Sequence, residues 1–229
     1  MLQLSTSCLG GTTTFVTYGA LLSESSARTT FPQLYNFRLV RVNGYRRCFA
    51  HPHCFLVSRG LTTGNRFASL SAEKSAGASF IGAAFSVELD QTQQRAFLER
   101  EAEYSVEEID MQCIENIGTK HYNLKSPVFM CLASTDAQLK RRSHPAIDQF
   151  STVWNFTRDT NLLLPADVYL RHLLLAVEKA GPLASQSLLD DTFLVDRLTS
   201  LRSYLHRPGV REMVMTATPP SDLALRFGG

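Results

Sequence analysis

Two stretches of this chain carry chemistry by residue type and spacing. In Phe97-Leu98-Glu99-Arg100-Glu101-Ala102-Glu103-Tyr104, a helical period of about 100° per residue puts Phe97, Leu98, Glu101 and Tyr104 on one arc, with Glu99, Arg100 and Glu103 opposite. Glu101 is thus the acid of the apolar face, and Glu99 and Glu103 read as solvated carboxylates. A carboxyl turned toward a core loses hydration, so its pKa rises toward neutrality, where it can both take and give a proton. A carboxylate satisfied by a buried arginine or by backbone donors is an equally open reading of the same arc. The second stretch is Phe15-Val16-Thr17-Tyr18-Gly19-Ala20-Leu21-Leu22, an apolar β-rich run that breaks at Gly19 and passes into Ser23 to Ser26. A strand ending in such a turn presents backbone N–H groups that can hold a carboxylate or phosphate, although a plain structural turn is the ordinary alternative.

Other reactive side chains are weaker candidates. His51-Pro52-His53-Cys54 offers sound zinc donors, but no second cluster stands at a familiar spacing, so no metal is expected. His172 sits in an apolar helical run and reads as a satisfied buried histidine. The five cysteines, Cys8, Cys48, Cys54, Cys113 and Cys131, are odd in number and lack paired spacings, which points to reduced thiols in an intracellular protein. Lys140-Arg141-Arg142 is a short basic run in a net charge of +2, too little for a dedicated nucleic-acid surface. No run of eighteen apolar residues exists, so no membrane span is expected. Residues 1–11 lack the basic and apolar regions of a secretory signal; a cytoplasmic location is expected, with their Ser/Thr-rich, acid-free character keeping an organelle-targeting reading open.

The elements that must position these groups follow from pattern. Thr12 to Tyr18, rich in β-branched and aromatic residues, reads as a strand. Asn36 to Ala50 reads as strands with a tight hairpin turn at Asn43-Gly44, and Ser58 to Gly77 as a long loop able to act as a lid. Gly77 to Leu89 returns to strand, Gln91 to Ser105 is the helix carrying Glu101, and Val128 to Ala133 is a buried strand. Beyond Ser134 the chain changes character: Ala166 to Ala180 is a helix closed by Gly181-Pro182, Ser185 to Leu205 supplies further helix, and Thr216 to Gly229 is a strap or tail. With 44% hydrophobic and 19% charged residues, the 229-residue chain fits one generous domain or one domain with an appendage.

Tyr18-Gly19-Ala20-Leu21-Leu22, followed by Phe37 to Phe49, then Ala78 to Val87, then Arg100-Glu101-Ala102-Glu103-Tyr104, resembles in order and spacing the γ-glutamylcyclotransferase-like superfamily. The second half, through Leu164 to His172, Leu189 to Arg197 and Arg226-Phe227-Gly228-Gly229, is similar to uncharacterised plant- and alga-like members with a helical extension. Ala20 stands where Ser or Thr is common, and Ala102 where Gly is frequent.

The resemblance implies an α+β fold, a small mixed β-barrel with flanking helices and a C-terminal helical extension packed on it. The implied organisation is a leader over 1–14, the domain over 15–135 and the extension over 136–229. The implied reaction is cyclisation of a γ-glutamyl amide to 5-oxoproline with release of an amine, a transferase- or lyase-type chemistry without a cofactor. Glu101 would be the general acid/base, backbone N–H groups of Gly19, Ala20 and Leu21 would hold the substrate carboxylate, and Tyr18 and Tyr104 would wall the pocket. The implied partner is a small γ-glutamyl compound, with neither nucleic acid nor membrane. A non-catalytic binding or assembly protein retaining the fold is the alternative, and an amide-cleaving enzyme of other specificity a third.

Overall fold

The computed structural model describes residues 11–118, 127–139, 148, 150–155 and 163–229, so Cys8, the Lys140 to Arg142 run and most of the leader lie outside the described residues. The first half contains β1 (Thr12–Thr17), α1 (Glu24–Arg28), β2 (Tyr35–Pro52), α2 (Cys54–Ser58), β3 (Arg66–Glu88), α3 (Gln91–Arg100), β4 (Ser105–Glu108), β5 (Ile114–Asn116) and β6 (Val128–Leu132). After α4 (Asp136–Leu139) come β7 (Leu164–Pro165), α5 (Asp167–Ala180), α6 (Pro182–Asp190), β8 (Thr192–Phe193), α7 (Leu201–Leu205), α8 (Val210–Thr216) and α9 (Ala224–Phe227).

The fold is α+β, built on one mixed sheet. Its strands run β4-β6-β1-β3-β2-β5, with β7 added on β3 and β8 on β2. β1 lies inside the sheet, antiparallel to β3 and parallel to β6, so the strand that leads into the Gly19 turn is held from both sides. The expected barrel does not close. β4 pairs with β6 at one end and β5 pairs with β2 at the other, and these two end strands do not pair with each other.

Three local expectations are corrected. Asn43-Gly44 is not a hairpin turn: β2 runs straight through it, and Gly44, at φ +80°, makes a bulge where the register against β3 shifts. Arg66 to Gly77 is not a loop either but the first half of β3, in which Ala68, Ser69, Leu70, Ser71 and Ala72 are all buried. Small residues buried on both faces erase the period-2 signal that marks a half-exposed strand. Residues 191 to 200 are not helix: Thr192 and Phe193 pair with Arg47 and Cys48 of β2.

Five phenylalanines, Phe15, Phe31, Phe85, Phe97 and Phe129, form a buried cluster in which the Phe15 and Phe97 rings are 4.6 Å apart. Burying a ring of this size is worth about 1.5–3 kcal/mol, and here it fixes the end of α3 against β1. A larger core takes Val16, Tyr18 and Leu70 from the sheet together with Tyr169, Leu170, Leu173 and Phe227 from the helices. Arg47 pins the two together. It is fully buried and donates to the Ile81 carbonyl at 3.0 Å and to the Ser187 carbonyl at 2.6 Å, with its guanidinium 4.8 Å above the Phe80 ring. No helix among the described residues is long and apolar enough to cross a membrane.

Candidate active site

α3 starts in a capping box, Asp90 accepting from the Gln93 N–H at 2.7 Å, and stops at Arg100. Glu101 is its C-cap; its N–H still reaches the Phe97 carbonyl at 2.9 Å, and Tyr104 N–H closes the following turn onto the Glu101 carbonyl at 3.0 Å. The helix therefore ends before the arc that placed Glu103 in solvent. Glu103 instead turns inward and is buried. The chain brings two carboxylates to one interior, where the helical period expected one.

Their surroundings differ. Glu101 meets Arg100, Nε to Oε1 at 3.3 Å, and burial raises its pKa against the opposing field of Arg100 and Arg226. Glu103 accepts from His51 Nε2 at 3.2 Å and from the Cys54 N–H at 3.1 Å. Burial pushes its carboxyl up as well, but the hydrogen bond and field of His51, helped by Cys54, outweigh that and hold it at about 2. His51 and Cys54 are thereby spent on Glu103, and His51 stacks on Trp154 at 4.2 Å. His53 lies edge-on to Tyr169, and burial lowers its pKa to about 4.

Arg100 is the positioning group beside Glu101. It donates to the Ser26 carbonyl, the Thr29 and Thr30 hydroxyls and the Ser26 hydroxyl at 2.9 to 3.1 Å, which ties α3 to the helix that follows the Gly19 turn. That turn is a single 3-10 turn over Ala20–Leu22, with Leu22 N–H donating to the Gly19 carbonyl.

Tyr18, Gly19, Ala20, Leu21, Glu101 and Tyr104, all expected at the site, line one cavity of about 60 Å³. The two tyrosines are walls whose hydroxyls are spoken for. Tyr18 donates to the Cys131 carbonyl at 2.5 Å, while Tyr104 donates to the Leu70 carbonyl and pairs with Ser69, each at 2.9 Å. Burial drives both phenols well above 10, so neither is an acid in ordinary conditions. Cys131 also lines the cavity, and burial raises its thiol far from the thiolate range, which removes it as a nucleophile.

The helical half, expected to pack on the domain, contributes to this cavity through residues that no motif marks. Tyr169 of α5 and Arg226 and Phe227 of α9 complete its wall. The Tyr169 hydroxyl is held by Ser69 and the Ala20 backbone, and lies 2.7 Å from where a Cβ on Gly19 would be. Any side chain at Gly19 would displace it, a physical reason for glycine there that backbone conformation does not supply. α9 is anchored from behind. His172 Nδ1 accepts from the Gly229 N–H at 2.9 Å and its Nε2 donates to the Ala20 carbonyl at 3.1 Å, an arrangement that requires the neutral ring, whose pKa burial lowers to about 4. Lys179 donates to the Gly229 carbonyl at 2.8 Å. An aromatic and an arginine among leucines and glycines were the available signals, but neither says what it faces.

Arranged this way, the cavity brings together a carboxyl of raised pKa and the strand-end turn, walled largely by aromatic side chains. No family model and no curated protein matches the sequence. Among solved structures, the chain is similar to an uncharacterized protein from Homo sapiens at 14% identity and a TM-score of 0.39, over 54% of this chain and 67% of that one. It is likewise similar to a gamma-glutamyl cyclotransferase at 14% identity and a TM-score of 0.40, over 54% of this chain and 68% of that one.

Proposed function

We propose that the protein cyclises a γ-glutamyl amide, releasing an amine and 5-oxoproline, with Glu101 as the general acid/base. One observation carries the reading: Glu101, half-buried and with its pKa raised by desolvation, lines the same cavity as the Tyr18 to Leu21 turn, the pairing that the sequence motifs imply. The substrate's own α-amine attacks the γ-carbonyl carbon. Glu101 takes the proton the amine sheds, the C–N bond to the leaving amine breaks, and the same carboxyl returns the proton to the leaving nitrogen. Because attack is intramolecular, holding the folded-back conformer supplies much of the barrier reduction. Arg100 keeps the Glu101 carboxyl in place through its four contacts with the α1 region. In this reading the Gly19 to Leu21 backbone faces the substrate α-carboxylate, and the Tyr169 hydroxyl beside it yields or shares that position.

The test is 5-oxoproline release from a panel of γ-glutamyl dipeptides and γ-glutamyl amines, with Glu101→Gln alongside. The expected loss of kcat in Glu101→Gln is about 10² to 10⁴, with substrate affinity kept. Unchanged turnover in that variant, or no release across the panel, ends the assignment.

A further inference from the structure

His53 lines the cavity that holds Glu101 and has no part in the reaction as described above. Its backbone is held on both sides: its N–H donates to the Phe67 carbonyl at 2.7 Å, and its carbonyl accepts from the Val57 N–H at 3.0 Å. The ring is boxed in by the helical half, edge-on to Tyr169 at 4.8 Å and to Phe227 at 5.8 Å. His53 is only 6% exposed, its Nδ1 is buried without a hydrogen-bond partner, and among the described residues its Nε2 has none either. His51 makes the contrast. It too leaves Nδ1 bare, but its Nε2 is bonded to Glu103 and it does not line the cavity.

A buried ring nitrogen without a partner costs free energy, so a ring held this firmly and left unpaired points to a ligand that completes it. The charges around it do not supply the missing bond. The field of Glu103 and the ring's own backbone carbonyl favour the protonated ring, while Arg226 and His51 oppose it. Burial is the largest influence and lowers the pKa to about 4, so the ring stands neutral, with one N–H and one bare nitrogen. A lone pair is cheaper to leave dry than an N–H, and the buried Nδ1 is therefore the bare nitrogen and Nε2 carries the proton. A neutral imidazole N–H donates a hydrogen bond without adding a charge to the site. That suits an oxygen that is neutral in the substrate and turns negative as the reaction proceeds.

Other polar groups of the cavity are already committed. Tyr18 and Tyr104 donate to backbone carbonyls, Arg100 is bonded to the α1 region, Glu103 is taken by His51 and the Cys54 N–H, and Arg226 lies in the fields of Glu101 and Glu103. We propose that His53 donates from Nε2 to the γ-carbonyl oxygen of the substrate and holds the negative charge which that oxygen gains when the α-amine attacks. The proposal rests on the cyclisation reading for its substrate and on the unpartnered ring for its site. His53 transfers no proton: Glu101 carries the proton from the attacking to the leaving nitrogen, and the oxygen gives back its electron pair to re-form the carbonyl as the C–N bond breaks.

The test is the kinetics of 5-oxoproline release in His53→Phe and His53→Gln. Phenylalanine keeps a ring between Tyr169 and Phe227 and removes both nitrogens, whereas glutamine returns an amide N–H near the place of Nε2. His53→Phe is expected to lower kcat by about 10² to 10³ with KM changed by less than about threefold, the pattern of a lost oxyanion donor. His53→Gln should recover about tenfold of that loss. A kcat in His53→Phe within about threefold of wild type, a loss confined to KM, or equal losses in the two variants would each overturn the proposal. If the wild type releases no 5-oxoproline from any γ-glutamyl amide, the cyclisation reading has failed on its own, and the ring is then read directly, as it is if the variants do not fold. In NMR of histidine-labelled wild type titrated with 5-oxoproline, whose lactam carbonyl is the γ-carbonyl after cyclisation, a downfield shift of the His53 Nε2 proton supports the donor role. No shift at saturating 5-oxoproline overturns it.

Discussion

Glu101 and Glu103 lie two residues apart on one turn, and the two sides of that turn are built for opposite purposes. On one side Glu101, which lines the cavity, has one ion-pair partner among the described residues, Arg100, and the more distant field of Arg226, so its desolvation is incompletely answered and its pKa rises. On the other side Glu103 has a ring N–H, a backbone N–H and the stacked pair of His51 and Trp154 behind it, so burial is over-answered and its pKa falls to about 2. Burial alone does not make a carboxyl reactive. What separates a carboxyl with a raised pKa from one with a lowered pKa here is how many donors the chain has already pointed at it.

The sharpest way to break this comparison is to remove each carboxyl in turn and measure stability by urea unfolding. Glu103→Ala leaves His51 and the Cys54 N–H without an acceptor inside the protein, and is expected to cost about 3–5 kcal/mol. Glu101→Gln keeps the volume and removes an acid that burial disfavours, so it is expected to shift stability by no more than about 0.5 kcal/mol in the destabilising direction, while abolishing turnover. Equal destabilisation by the two variants would mean that both are anchors.

The pH dependence separates them by sign. Glu103 has its folded pKa below its unfolded one, so the unfolded chain binds the extra proton: its contribution is complete above about pH 4.5 and is lost as pH falls toward 2. That window amounts to about 3 kcal/mol, at ~1.4 kcal/mol per decade. Glu101 has its folded pKa above its unfolded one, so its contribution is greatest in acid and declines as pH rises past the ordinary glutamate range. In urea titrations at stepped pH, Glu103→Ala should flatten the acid limb, and Glu101→Gln should instead remove the decline on the upper side. The reverse pattern would exchange the roles assigned here.

The same turn shows what could be read from sequence and what could not. Glu101 was legible because it follows Phe97, and a phenylalanine that packs at 4.6 Å on Phe15 fixes the facing of the residue one turn later. Glu103 was not, because nothing local stops α3: residues 101 to 104 contain no glycine or proline, and the helix ends where His51 and Cys54, from β2 and the start of α2, draw the carboxylate in. That is tertiary structure overriding helical period, and no spacing rule sees it. β3 was half-missed for a related reason, since Ala68 to Ala72 are buried on both faces and show no alternation. The α5 helix was legible because Leu170, Leu173, Leu174 and Val177 recur on one stripe and Gly181, at φ +107°, ends it. Its Tyr169 lies on that stripe too, and pattern cannot tell a core aromatic from one whose hydroxyl reaches the Gly19 turn.

A further pair of variants probes that last contact. Tyr169→Phe removes a hydroxyl held by Ser69 and the Ala20 backbone and should cost about 1 kcal/mol. Gly19→Ala, by contrast, adds a methyl 2.7 Å from the Tyr169 oxygen with the backbone at φ −109°, so its cost is steric and belongs to that oxygen. Combining the two should therefore recover part of the loss, with a coupling of about 0.5–1 kcal/mol in a double-mutant cycle read by thermal or urea unfolding. Additive costs would show that the Tyr169 hydroxyl does not press on the turn, and that the Gly19 side of the cavity is shaped by the sheet alone. A positive coupling would show that the helical half sets the height of the Gly19 turn, which makes the shape of the cavity that Glu101 lines a property of both halves of the chain.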